Sequence, residues 1–583
     1  MTSQQSPLIW NEFQLGIADN PQKGHGLFRN ADIDSFPGAI KSAKKPGTYF
    51  HKISTVTFTA DAGTDICTAS GAIEGNNQNF GGAAVYFTTT GTLPAGLSTG
   101  TLYFLIYVSG TTFKVATSYK NAVGTAAGTQ IDITDAGSGT HTMNQVAIGN
   151  IKWIVEDPRG AATYMLSSNG RVWFTLGTRA YLLANAAIDT PSTGCTNASG
   201  NGLTISQFSS TTSTFLFVFR NALIDVIDIF GTTAIEALSW SNGWKSLNTA
   251  AGTNNPHEAI KGQDDVIYFT DDRYVGSILE NVGSTFAPGT GSTYTYNNQA
   301  LDLPNQEIAS CIDELGPNLL IGGSKFNKIY PWDRISDSFT DPLIVPEYNI
   351  SKLKNYGGTA YILAGTWGNI YKTQGSYVRH HVRIPLHLTN NAGFVGSAIV
   401  TWGGIAIANG SLLVGLSTAL TTHDGVWRIR EDGRVTVDNQ PSAGAGIVYS
   451  IFAKNDFYDF GYAGGADNFN SVVSSNILYN NLEVIAQSPL FKVATKIGKG
   501  AFSRAEIVLD RVATGGQARL GYRNDIYSTF TTIGTVTADS ANQILTIEDI
   551  GLTDIDNIQL QIEMNDSDTG TADFHVIEVR LFP

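Results

Sequence analysis

Residues 318–333 read NLLIGGSKFNKIYPWD, and residues 359–373 read TAYILAGTWGNIYKT. Each opens on aliphatic and aromatic residues, breaks near glycine and turns briefly. Each then resumes, on Asn-Lys-Ile-Tyr in the first and Asn-Ile-Tyr in the second. Strand, tight turn, strand is the direct reading of both. Five more segments share this build: GRVWFTLGTRAYLL, TFLFVFRNALIDVIDI, DVIYFTDDRYVGSIL, SLLVGLSTALTTHDGVWRI and DFYDFGYAGGADNFNSVV. Strand centres fall at Val172, Phe217, Val266, Leu319, Tyr361, Leu412 and Phe457, spaced by roughly 42 to 53 residues, close to the repeat of a four-stranded propeller blade. One such sheet cannot bury both faces alone, and radial stacking covers them. The pattern predicts an all-β chain with one propeller of about seven blades, built from residues 49–58 and 145–488. A Trp-Asp pair occurs once in these units, at Trp332-Asp333, so there is no repeated WD signature, and no kelch signature.

Residues 489–583 change character. Strands are expected at Ala505–Val512, Ala518–Arg523, Phe530–Ala538, Gln543–Ile550, Ile558–Met564 and Phe574–Leu581. Ile558, Leu560, Ile562 and Met564 alternate with Gln559, Gln561 and Glu563; Ile577, Val579 and Leu581 alternate with Glu578 and Arg580. Period two means one buried face and one wet face. A C-terminal β-sandwich or jelly roll follows. Residues 1–48, punctuated by Asn20, Pro21, Gly24, Gly26, Pro37 and Gly38, read as an extended arm that orders against a partner chain. No amphipathic helix of any length is apparent.

Charged residues are 15% of the chain, below the roughly 25% of ordinary soluble domains, while Gly reaches 62. Short strands and tight turns fit that balance. Lys and Arg number 36 against 50 Asp and Glu, a net charge of −14. Such a chain disfavours sequence-specific nucleic-acid binding and has no basic block for an anionic membrane. Cys67, Cys195 and Cys311 lie far apart, with no CxxC pair for zinc and no disulfide framework. The start MTSQQSPLIW lacks a secretory pattern, and no apolar run is long enough for a membrane span.

Residues 59–144 are expected to form a small β module inserted near the start of the propeller. Within it, Tyr86 to Leu97 read YFTTTGTLPAGL, followed by YFL at 103–105, FKVA at 113–116 and GSGTHT at 137–142. Two short strand runs flank a turn built from Pro94 and Gly96, which is a hairpin pattern. The stretch from Ala84 to Met143 resembles a module of tailed-bacteriophage virion structural proteins, in which a YF-x-T-x-G-x-LP-x-GL turn leads into similar strands. The opening WNEFQLGIADNPQKGHG (10–26) and PGAIK (37–41) are similar to starts of phage tail proteins. The resemblance implies a tail component at the nozzle, hub or tip. It would be an assembly and attachment platform in the virion, made in the host cytoplasm. It would contact other tail proteins and act as a homo-oligomer, a ring or a trimer. Alternatives are an adhesin for a host-surface glycan and a propeller glycosidase or depolymerase.

Enzyme signals are few, and neither catalysis nor a cofactor is expected. Asp264-Asp265 and Asp271-Asp272, with Arg273, offer paired acids for glycoside chemistry. Neighbours in a strand point to opposite faces, so these pairs read as blade turns. Thr422-His423-Asp424-Gly425-Val426-Trp427 has a faint sialidase-box look with the wrong spacing, and reads as a turn with Trp427 plugging between blades. His380-His381 with His387 lacks a carboxylate at ligand spacing. Asp566, Asp568 and Asp573 place oxygen ligands as in a shortened calcium loop without its distal Glu, or form a plain turn. Trp240 and Trp244, expected in a long loop between units, fit two roles: cover over the end of the propeller core, or platforms for a sugar or protein partner.

Overall fold

The computed structural model describes residues 7–11, 27–29, 31–32, 40–42, 47–48, 55–73, 80–123, 130–146, 148–157, 163–167, 171–176, 179–183, 202–207, 214–219, 222–230, 236–248, 257–280, 294–384, 400–418, 424–439, 447–454, 457–462, 469–472, 484–493, 499–511, 516–525, 528–537, 544–566 and 575–583. Among them the chain is nearly all strand, with one short helix, Tyr119–Val123.

Among the described residues seven antiparallel four-stranded blades form a β-propeller, six as separate sheets and the sixth as part of a larger one. Their inner strands are Ile151–Glu156, Gly202–Gln207, Ala259–Lys261, Ala309–Leu315, Ile350–Tyr356, Val400–Ala408 and Val448–Lys454. Each touches the next, and the last touches the first, so the ring is closed. Ser450 Oγ donates to the carbonyl of Ile151 at 2.9 Å across that final junction. Second strands are clamped between two neighbouring blades, which is why they read as continuous apolar runs. All six residues of Thr214–Phe219 are buried. Six of the seven strand centres read from sequence fall on or beside second strands. Val172 lies on the third strand of its blade, because Thr163–Ser167 is the second.

Glycine lets the blades approach. A Cβ on Gly461, in the seventh blade, would lie 2.5 Å from Cβ of Ile151 in the first. A Cβ on Gly403 would lie 1.8 Å from the carbonyl oxygen of Val448 in the next blade. No side chain fits either place.

The seventh blade takes its fourth strand from the other end of the chain. Gly47–Thr48 pairs with Phe469–Val472, Thr48 opposite Asn470 and Gly47 opposite Ser471. These two residues therefore belong to the propeller and not to an extended arm. Other parts of the arm are also paired. Leu8–Trp10 and Ile40–Ser42 lie along His575–Phe582, and Leu27–Arg29 lies along Val484–Gln487. Short strands of this kind carry no readable period, so the sequence pattern missed them.

Those pairings build the C-terminal sandwich. One sheet contains Ala31–Asp32, Ile40–Ser42, His575–Phe582, Arg504–Arg511 and Ile544–Ile547. The other contains Leu27–Arg29, Val484–Gln487, Asn557–Asp566, Gly516–Arg523 and Thr531–Thr537. Trp10, Ile507, Leu520, Leu560, Ile562, Val579 and Leu581 share the core between them. Val484–Gln487, expected in the propeller, belongs here. A single parallel bridge, Arg29 to Val437, ties this sheet to the outer strand of the sixth blade. Two alternation readings need correction. Gln559, Gln561 and Glu563 are buried, not wet. Gln559 accepts from Arg523 Nε at 2.7 Å, Gln561 accepts from Gln487 Nε2 at 2.6 Å, and Arg519 pairs with Glu563. In the last strand a bulge skips Ile577, so Val576 takes the inward place.

The module of residues 59–144 is a closed six-stranded barrel that begins earlier, at Val56. Val56–Phe58, expected in a blade, pairs with His141–Met143 inside the barrel. Phe58, Phe87, Leu105, Phe113, Val115 and Met143 fill it. The YFTTTGTLPAGL turn and the GSGTHT segment lock together: Thr92 bridges Ser138, and Thr89 Oγ1 and His141 Nδ1 are 2.9 Å apart. Gly96, at φ 100°, lies where a Cβ would strike the carbonyl of Asp132. The barrel's outer face is covered by the first blade. Tyr119 packs edge-on against Phe174 and Tyr181, with centroids 5.2 and 5.1 Å away.

Candidate functional site: the central channel

Inner strands alternate, so one set of their side chains points at the propeller axis. There they line a cavity of about 360 Å³. Its charged members are Lys152, Glu258, Asp313, Lys352 and Lys354, with Asn355 and Ser450 beside them, and its aromatic members include Trp153 and Tyr449.

Lys352 Nζ lies 3.3 Å from Glu258 Oε1 and 4.2 Å from the centre of the Trp153 ring. Burial pushes the Glu258 carboxyl upward against the pull of Lys352, and Asp313 adds to the rise. The other oxygen, Glu258 Oε2, is buried with no hydrogen-bond partner. Asp313 also rises through burial, opposed by Lys354 and by the backbone N–H of Asn355, which donates to Oδ2 at 2.6 Å. Lys152 lies over the Tyr449 ring, 3.0 Å from its centre, and burial pulls its ammonium down to about 8. No carboxylate pairs with Lys152 among the described residues. The cavity thus offers an uncompensated cation, an unused buried acceptor and two aromatic walls. No motif in the sequence marks these residues. Their signal is a polar residue in or just before an inner strand, visible only once blade phase is known.

The residues singled out from sequence lie elsewhere. Asp271 and Asp272 part company at a hairpin. Asp271 is buried, accepts from Asn248 Nδ2 at 2.8 Å and has His257 Nδ1 3.8 Å away; Asp272 sits at φ 58°. Burial lifts Asp271 to about 7. Asp264 accepts from Tyr268 at 2.7 Å and pairs with Arg334 of the next blade at 3.3 Å, while Asp265 pairs with Lys261. Arg273 turns away to Asp302 and Asn305. Asp424 caps the backbone N–H of Thr418 at 2.8 Å, and Trp427 is buried against blade neighbours including Leu363 and Ile370. His380 rests on Tyr371 and His381 on Tyr361; His387 lies outside the described residues. Burial lowers His381 to about 4. Asp566 ends a sandwich strand opposite Gly516, and Asp568 and Asp573 lie outside the described residues. Trp240 and Trp244 are on a strand, Glu236–Ser246, and not in a loop. Trp244 packs against Phe217, Tyr294 and Tyr296 at a junction of blades; nothing is described of the Trp240 side chain.

Two residues that the sequence pattern did not single out explain its clearest repeat. Glu307 and Glu347 each precede an inner strand. Tyr330 donates to Glu307 at 2.9 Å, and Tyr371 donates to Glu347 at 2.8 Å. These are the tyrosines of Asn-Lys-Ile-Tyr and Asn-Ile-Tyr. Glu307 also accepts from the backbone N–H of Lys325 at 2.9 Å, fixing the turn.

No protein-family model matches the chain, and no curated protein matches it. Solved structures similar to it include the β-propeller domain of Myceliophteria thermophila Cps50 (Swd1), with 10% identity, 56% of this chain, 97% of that chain and a TM-score of 0.38. BamB from Moraxella catarrhalis gives 7% identity, 66% and 96% coverage and a TM-score of 0.31. YCF48 bound to D1 peptide gives 8%, 56% and 93%, with a TM-score of 0.37. Likeness at these scores carries no functional weight, and the propeller rests on the sheet topology.

Proposed function

We propose that the protein is a structural component of a tailed-phage virion. Its place would be the tail, at the nozzle, hub or tip, as a platform for assembly and attachment. The observation that carries this reading is the YFTTTGTLPAGL and GSGTHT pair, similar in sequence to a virion module and physically interlocked in the barrel. The stitched architecture supports it. Strands from the first fifty residues complete both the propeller and the sandwich, which resists pulling the units apart. Partners would be other tail proteins and copies of this chain. A second reading, an adhesin for a host-surface glycan, is favoured by Tyr348 and Trp367. They are 65% and 53% exposed, on loops joined where Gly365 N–H donates to the Tyr348 carbonyl at 2.9 Å. Exposed aromatics suit sugar faces and protein contacts alike.

Immunogold labelling of particles from the producing culture, with serum against the purified protein, tests the proposal. Gold at one end of the tail, together with a ring or trimer of the purified protein by light scattering, is expected. Abundant protein in the lysate with unlabelled particles would contradict it.

A further inference from the structure

The central channel is a ready-made binding site with two unmet demands. Lys152 needs an anion: it is half-buried, its ammonium lies over the Tyr449 ring, and no carboxylate is paired with it among the described residues. Removing a cation from water without a counter-charge is costly. Glu258 Oε2 needs a donor: it is buried and unpartnered, while Oε1 is held by Lys352. Asn355 Oδ1 is a second buried acceptor without a donor. A simple anion would answer Lys152 but repel Glu258. A neutral polyol would answer Glu258 but leave Lys152 unpaired. A molecule carrying one carboxylate and several hydroxyls answers both. The cavity, about 360 Å³, lies at the small end of ligand pockets, and its Trp153 and Tyr449 walls suit the apolar face of a sugar ring.

We propose that the channel binds a sugar acid of the size of one hexuronate. Its carboxylate would pair with Lys152 and its hydroxyls would donate to Glu258 Oε2. The inference stands apart from the virion reading and does not need it.

Isothermal titration of the full chain with D-glucuronate, D-glucose and acetate tests it. Saturable binding of glucuronate is expected, with glucose and acetate each weaker by roughly tenfold or more. Lys152→Gln should weaken glucuronate by roughly tenfold, and Lys152→Arg, which keeps the cation, should hold it within a few-fold. No saturable glucuronate binding, equal binding of glucose, or unchanged affinity in folded Lys152→Gln would each overturn the proposal. If Lys152→Gln does not melt cooperatively, the comparison of the three ligands on the unaltered protein decides.

Discussion

Asp271 shows how a sequence motif can be chemically loaded and structurally spent. Its carboxyl is buried beneath the third blade's hairpin, and its folded value near 7 stands well above its ordinary 3.8. The folded state therefore favours the protonated form. The stability this gives is complete below the ordinary value and is lost as pH rises through about 7. A shift of that size is worth about 4 kcal/mol. Melting temperature should fall between about pH 4 and pH 7 and level off above that, and Asp271→Asn should flatten that fall; parallel curves for the two proteins would refute the assignment. Glu307 is the opposite case, a charge that is fully used. Glu307→Ala would leave the Lys325 amide and the Tyr330 hydroxyl without their acceptor, at a cost of about 2–4 kcal/mol by chemical denaturation. Tyr330 and Tyr371 were legible as a repeat. Their glutamates were not, because each lies more than twenty residues upstream, with two strands of the blade in between.

Blades were legible as elements because a second strand, packed on both faces, has to be apolar throughout. Blade one slipped by a strand because VWFTL, its third strand, is as apolar as TYMLS, its second. Strands in the sandwich were found nearly at their true bounds, but alternation assigned the wrong surroundings to Gln559, Gln561 and Glu563. Alternation tells which side chains share a face, and it does not tell whether a second layer covers that face. Junctions between elements carry the sharpest steric constraint. Gly461→Ala would drive a methyl group into Ile151 and should cost about 1–3 kcal/mol, with blades seven and one losing amide-exchange protection first. A substitution without loss of stability would mean that the junction is looser than described. At the arm, Trp10 is 2% exposed within the sandwich core, so Trp10→Ala should destabilise the sandwich by about 3–5 kcal/mol, read by amide exchange in Arg504–Arg511. Unchanged exchange there would show that the first strand is only an ornament.

On the scale of the molecule, three all-β units are sewn together by the N-terminal segment. It supplies strands to the sandwich, bridges to the sixth blade through Arg29 and Val437, and closes the seventh blade before the barrel begins. The sequence could not show this, because two- and three-residue strands have no period and their partners lie several hundred residues away. An arm read as free for a neighbouring subunit is, in its described parts, spent within its own chain. Completion of the seventh blade by its own chain is tested by one disulfide. Thr48 and Asn470 are directly opposite one another in an antiparallel pair, a geometry that disulfides accept. In a Thr48→Cys, Asn470→Cys protein, oxidation should give an intramolecular bond, seen by peptide mass mapping in a species of monomer size. A cross-link only between chains would place this strand in a neighbour's blade, and no cross-link at all would leave the seventh blade without its fourth strand.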